Sequence, residues 1–130
     1  MNDIIADSIT RIRNAALRRQ ETTKLLYSKT VESILGVLQA KGYIDSFKTD
    51  ESDVKRYIDV FLKYDDKGKS AIAEIKRVSK PGRRIYASAK NVKKFKHGFG
   101  SIIISTSKGV LSNDDAFAQN AGGEALCAVW

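Results

Sequence analysis

Lys55-Arg56-Tyr57-Ile58-Asp59-Val60-Phe61-Leu62-Lys63 alternates Ile58, Val60 and Leu62 against Tyr57, Asp59 and Phe61. That period of two is the pattern of a half-buried strand. Just upstream the period changes. Between Ser28 and Lys41, Val31, Ile34, Leu35 and Leu38 recur at helical spacing, and Gly42 supplies the permissive residue that commonly follows a helix end. A helix thus runs into strands within one short stretch.

Working outward, Ile5, Ile9, Ile12 and Ala16 mark a first helix from Asp3 to about Arg19, with Asp3 as its N-cap. Arg11, Asn14 and Arg18 fall on the side opposite that stripe. Lys24 to Tyr27 reads as a short strand. Tyr43 to Lys48 pairs with Lys55 to Lys63 as a hairpin across the polar Thr49 to Asp53 segment. Asp65 to Lys69 is turn-rich, and composition shifts there. Two small lobes are therefore expected, 1–67 and 68–130. The first is helix, strand, helix and hairpin; the second is mostly β with one or two short helices.

In the second lobe, strands are expected at Ile72 to Val78, Arg84 to Ala87, Ile102 to Ser105 and Glu124 to Trp130. Lys80-Pro81-Gly82 forms a turn in which Pro81 presets the first central dihedral. Ser88 to His97 fits either a short helix or an extended basic loop. Thr106-Ser107-Lys108-Gly109 is a loop at a strand end. Ser112 starts a helix, with Asp115 three residues on, and Gly122-Gly123 stops it.

The 130 residues carry 23 Lys and Arg against 15 Asp and Glu, a formal net charge of +8, so a polyanionic partner is implied. The charge is unevenly placed. Up to Ser70 there are 13 basic and 11 acidic residues; from Ala71 onward there are 10 and 4. Lys76 to Lys108 holds ten cations and no acid, whereas a merely solvated surface mixes both signs. No apolar run approaches the roughly 20 residues that span a bilayer, and no signal peptide is visible, so no membrane partner is expected. One cysteine, Cys127, and one histidine, His97, leave no thiolate cluster for zinc and no base with its orienting partner. We expect no metal, cofactor, small-molecule substrate or catalytic residue, and a cytoplasmic location.

Residues interspersed with the charge point to RNA. Tyr86, after Arg83 and Arg84, can stack on an unpaired base; Phe95 and Phe99 read equally well as core. Ser105, Thr106, Ser107 and Lys108 offer groups for ribose 2′-hydroxyls and phosphates, although serine-rich turns are also common for structural reasons. Lys80, Lys93 and Lys94 add phosphate contacts. Gly98-Phe99-Gly100 precedes a strand, so it is not a dinucleotide fingerprint. Asp65-Asp66 and Asp114-Asp115 are adjacent pairs that point apart, and turn formation and helix N-terminal charge explain them. An RNA-cleaving enzyme and a DNA-binding module remain the alternatives.

Taken in order, Ile5-Ala6-Asp7, Thr10 to Ala15, Lys80 to Tyr86, Gly98-Phe99-Gly100, Ser105 to Val110, Gly122-Gly123-Glu124 and Val129-Trp130 resemble the S-eight family of small-subunit ribosomal proteins in its bacterial form. The resemblance covers nearly the whole chain. It implies a two-lobe α+β protein that binds the central domain of small-subunit ribosomal RNA early in assembly, organises the platform, and neighbours the fifth and twelfth small-subunit proteins. It further implies contact roles for Tyr86, the Ser105 to Gly109 loop and Glu124, with Arg11 and Arg18 of the first helix less central. Some members also bind a messenger of their own operon that mimics the ribosomal site. Two positions depart from the family pattern. Ile4 stands where Pro is frequent, and the segment Asn113 to Asn120 is acidic where the family is often basic, which weakens any phosphate contact from that helix.

Overall fold

The computed structural model describes residues 3–50, 56–88 and 100–130. They form two compact units, Met1–Ala73 and Glu74–Trp130. The class is α+β, with antiparallel sheets in both units.

Unit 1 is built from α1 (Ile4–Leu17), β1 (Thr22–Leu26), α2 (Lys29–Ala40), β2 (Ile44–Asp50) and β3 (Tyr57–Leu62). Asp3 caps α1, its carboxylate accepting the Ala6 N–H at 3.1 Å. The buried stripe of α1 is Ser8, Ile9, Ile12 and Ala15, rotated from the Ile5 and Ala16 edge that hydrophobicity suggested. Small side chains at Ser8 and Ala15 permit close packing, and a hydrophobicity stripe undervalues them. Arg11, Asn14 and Arg18 are exposed as the spacing predicts.

The three strands run β1-β3-β2, all antiparallel. Ile58, Val60 and Leu62 are buried, together with Leu25 of β1. Lys24, Asp59 and Lys48 line up across the opposite face. Thr49 Oγ1 donates to the Glu32 carboxylate at 2.6 Å, tying β2 to α2.

Unit 2 holds β4 (Ile75–Arg77), β5 (Tyr86–Ala87), β6 (Ser101–Thr106), β7 (Gly109–Ser112), α3 (Asn113–Ala118) and β8 (Gly123–Val129). The sheet order is β4-β8-β6-β7, and β5 shares the β4 edge of β8. β8 is therefore the central strand, and its residues 125–129 are all buried. Two expected strands are shorter: regular ladder pairing with β8 is confined to Ile75–Arg77 and Tyr86–Ala87. The loop expected after β6 is instead a hairpin, because the chain returns at once as β7.

Helices α1, α2 and α3 end in one motif. The residue two beyond the C-cap bonds back five residues, in Gln20 to Ala15, Tyr43 to Leu38 and Ala121 to Ala116, at 2.9, 2.9 and 2.8 Å. This needs a left-handed residue in between. Gly42 fills it in α2 with φ +82, but Arg19 (φ +55) and Asn120 (φ +51) fill it in α1 and α3. The α3 stop is thus Asn120, and Gly123 belongs to β8. Ser112 caps α3 as expected, accepting from the Asp115 N–H at 3.4 Å.

Candidate nucleic-acid interface

Register across β8 assembles residues that lie far apart in sequence. Tyr86 of β5 stands opposite Glu124 of β8, and Glu124 stands opposite Ser105 of β6. Directly opposed residues share a sheet face, so these three side chains form one row. Tyr86 is 71 % exposed, which leaves its ring available for stacking. Among the described residues, the Ser105 and Ser107 hydroxyls have no hydrogen-bond partner.

The next row is Ala87, Gly123 and Thr106. Here β6 and β8 approach so closely that a Cβ at position 123 would lie 1.9 Å from the Ser105 carbonyl oxygen. Gly123 is required by this contact rather than by an unusual φ, and it draws Ser105 and Thr106 tightly against Glu124.

At the β6-β7 hairpin, Thr106 pairs with Gly109 across Ser107-Lys108, and Gly109 takes φ +109 to return the chain. Thr106 Oγ1 donates to the Gly109 carbonyl at 2.7 Å and accepts the Lys108 N–H at 3.1 Å. Its hydroxyl therefore braces the turn. Lys108 Nζ donates to the Gln119 carbonyl at 2.8 Å, placing a cation at the negative end of α3. Ser107, at the tip, is exposed.

The second basic element is the Lys80–Arg84 loop. Lys80 and Arg83 exchange N–H···O=C bonds at 2.9 Å each, closing a turn over Pro81-Gly82. Gly82 does not adopt a left-handed φ, so Pro81 alone supplies the special dihedral. Lys80, Arg83 and Arg84 are all exposed. Arg84 Nη1 donates to Glu124 Oε2 at 3.0 Å, the two side chains being 48 % and 19 % exposed. One carboxylate oxygen of Glu124 is thereby matched with a cation, which lessens the repulsion an acid would exert on phosphate in this row.

Below the loop, Ser79 is fully buried. Its Oγ accepts the Ile85 N–H at 2.8 Å and donates to the Ile85 carbonyl at 3.0 Å. The sequence offered no signal for this residue beyond its place before Lys80-Pro81-Gly82.

Arg11 and Arg18 lie in unit 1. Arg11 pairs with Asp7 at 3.0 Å and lines a groove of about 380 Å³ with Lys24, Leu26 and Tyr57. Lys93, Lys94, Phe95, His97 and Phe99, with the Gly98-Phe99-Gly100 motif up to Phe99, lie outside the described residues.

The buried Cys127 thiol is pushed up to about 12, first by burial, with Arg77 opposing. At neutral pH it is a core side chain and not a nucleophile. Among the described residues no group of three His, Cys, Asp or Glu could hold a metal ion, and no helix is long and apolar enough to cross a membrane.

The family model described as Ribosomal protein S8 matches residues 3–130. Among curated proteins, the chain is 59 % identical over 130 residues to the Small ribosomal subunit protein uS8 of Campylobacter lari, covering 100 % of this chain and 99 % of that one. It is 61 % identical over 133 residues to the protein of the same name from a Nitratiruptor species, and 58 % identical over 130 residues to that of Wolinella succinogenes, with the same coverage in both.

Proposed function

Because the chain belongs to the ribosomal protein S8 family, and is thus a structural constituent of the small ribosomal subunit and not an enzyme, we propose that its C-terminal unit is a primary binding site for the central domain of small-subunit ribosomal RNA. The observation that carries this is the cross-strand row Tyr86, Glu124, Ser105, flanked by the Ser107 tip and the Lys80–Arg84 loop. Tyr86 stacks on an unpaired base. Ser105 and Ser107 hydroxyls meet ribose or base edges in a shallow groove. The cations supply affinity and orientation.

Thr106, Lys108 and Gly109 act mainly by shaping the hairpin, since the Thr106 hydroxyl and the Lys108 ammonium are engaged within the unit. Lys93 and Lys94 add phosphate contacts on the strength of the acid-free run alone. Arg11 and Arg18 make a separate, weaker contact from unit 1. In the cytoplasmic ribosome the protein would organise the platform beside the fifth and twelfth small-subunit proteins, and the same surface would accept a messenger folded like the ribosomal site.

Ser107→Ala tests the readout. It is expected to weaken binding to a structured central-domain fragment several-fold more than binding to random-sequence RNA of equal length. Equal losses on both would remove Ser107 from recognition. Duplex DNA as competitor at fixed salt separates this function from general polyanion binding.

A further inference from the structure

Ser79 is a buried polar side chain whose hydroxyl serves neither the sheet ladder nor a helix cap, and its bonds go to one residue, Ile85. The backbone explains why this matters. The chain runs along β8 until Val78 and Ser79 donate to the Leu126 and Ala125 carbonyls, each at 3.0 Å. It then leaves the sheet for Lys80–Arg84. It rejoins at Ile85, whose carbonyl accepts the Ala125 N–H at 2.9 Å, just before Tyr86 pairs with Glu124.

The departing and returning strands thus meet at Ala125, and the Ser79 hydroxyl crosses between them. Within this brace the Ile85 N–H finds its acceptor, Ser79 Oγ, at 2.8 Å. Removing the hydroxyl leaves that N–H unpaired in a partly buried position and frees the base of the loop.

We propose that Ser79 is a positioning residue for RNA binding: its hydroxyl latches the base of the Lys80–Arg84 loop and so fixes Lys80 and Arg83 relative to the Tyr86, Glu124, Ser105 row. This rests on the interface proposed above. Ser79 touches no RNA. Its effect is to present the loop cations in one geometry, so that their ordering does not have to occur on binding.

The test is a filter-binding titration of the full chain with a central-domain fragment at several salt concentrations. Ser79→Ala and Ser79→Cys are each expected to lose affinity about tenfold and to lower the log-affinity against log-salt slope by roughly one. Cys fills the buried volume with a poorer hydrogen-bonding group, so it decides the matter if Ser79→Ala fails to fold at the assay temperature. In a Lys80→Ala/Arg83→Ala background, adding Ser79→Ala is expected to change affinity less than twofold, because the residues it positions are gone. A general structural role would give the same loss in both backgrounds, and that result overturns the proposal. Wild-type affinity and slope in both Ser79 variants, with Lys80→Ala/Arg83→Ala impaired, overturns the latch alone. Unimpaired binding by Lys80→Ala/Arg83→Ala overturns the loop's part in the interface and the latch with it.

Discussion

Gly123→Ala probes the tight approach of β6 to β8 in unit 2. A Cβ there would stand 1.9 Å from the Ser105 carbonyl oxygen, 2.8 Å from its carbon and 3.1 Å from the Thr106 Cα. Ordinary contact begins at 3.4 Å, so backbone must retreat by about 1.5 Å at the oxygen. The obstacle is main chain inside a ladder, with no side-chain tip to swing aside. A retreat of that size breaks the pairing of Thr106 with Gly123, and ladder hydrogen bonds contribute about 1 kcal/mol each. With overpacking strain added, the destabilisation comes to roughly 2–4 kcal/mol, a large share of a small unit's stability. Urea unfolding followed by the fluorescence of Trp130, the single tryptophan, reads this unit directly. The control is Gly36→Ala within α2 of unit 1, followed by far-ultraviolet circular dichroism, where a Cβ meets nothing within 4 Å and removing a helical glycine should stabilise by about 0.5–1 kcal/mol. A Gly123→Ala protein within about 0.5 kcal/mol of wild type would refute the close approach and the strand register built on it.

Thr106→Val keeps the shape of the side chain and removes both hairpin bonds; a loss of about 1–2 kcal/mol in urea is expected, with weaker binding to the central-domain fragment. Cys127 should be inert to a thiol reagent at pH 8 until urea unfolds the chain, and rapid labelling of the folded protein would contradict its burial. Its folded value lies above the ordinary 9.0, so the unfolded chain loses this proton first. Its contribution is therefore complete below pH 9 and declines toward pH 12, at a limiting slope of about 1.4 kcal/mol per pH unit, which Cys127→Ala should abolish. Affinity for the ribosomal fragment should fall roughly a thousandfold between about 50 and 200 mM salt if about six phosphates are contacted, and a flat profile would contradict the cationic part of the interface.

The local elements were legible because their signals are local. Val31, Ile34, Leu35 and Leu38 announced α2, and all four are buried. The alternation in β3 and the Asp3 and Ser112 caps were equally direct. β7 escaped because four residues squeezed between a turn and a cap carry too little pattern, and its strand character comes from pairing with β6. The first helix ends close to the expected Arg19, but the left-handed conformation there and the α3 stop at Asn120 escaped because glycine is the expected residue at such positions.

The site divides the same way. Tyr86 and the serines could be singled out by type and by resemblance, and Glu124 by resemblance alone. That they fall in one row follows from long-range register alone, since Tyr86 on β5 and Glu124 on β8 are 38 positions apart and Ser105 lies on β6 across the other edge of β8. The bracing roles of Thr106, Lys108 and Ser79 likewise depend on partners that no spacing rule names.

Ultraviolet crosslinking of the full chain to total cellular RNA, followed by sequencing of both the attached peptide and the attached nucleic acid, tests the central claim most directly. Crosslinks at Tyr86 and within the Ser105–Gly109 hairpin to the central domain of small-subunit ribosomal RNA are predicted. Crosslinks confined to unit 1, or distributed over unrelated RNAs, would contradict it.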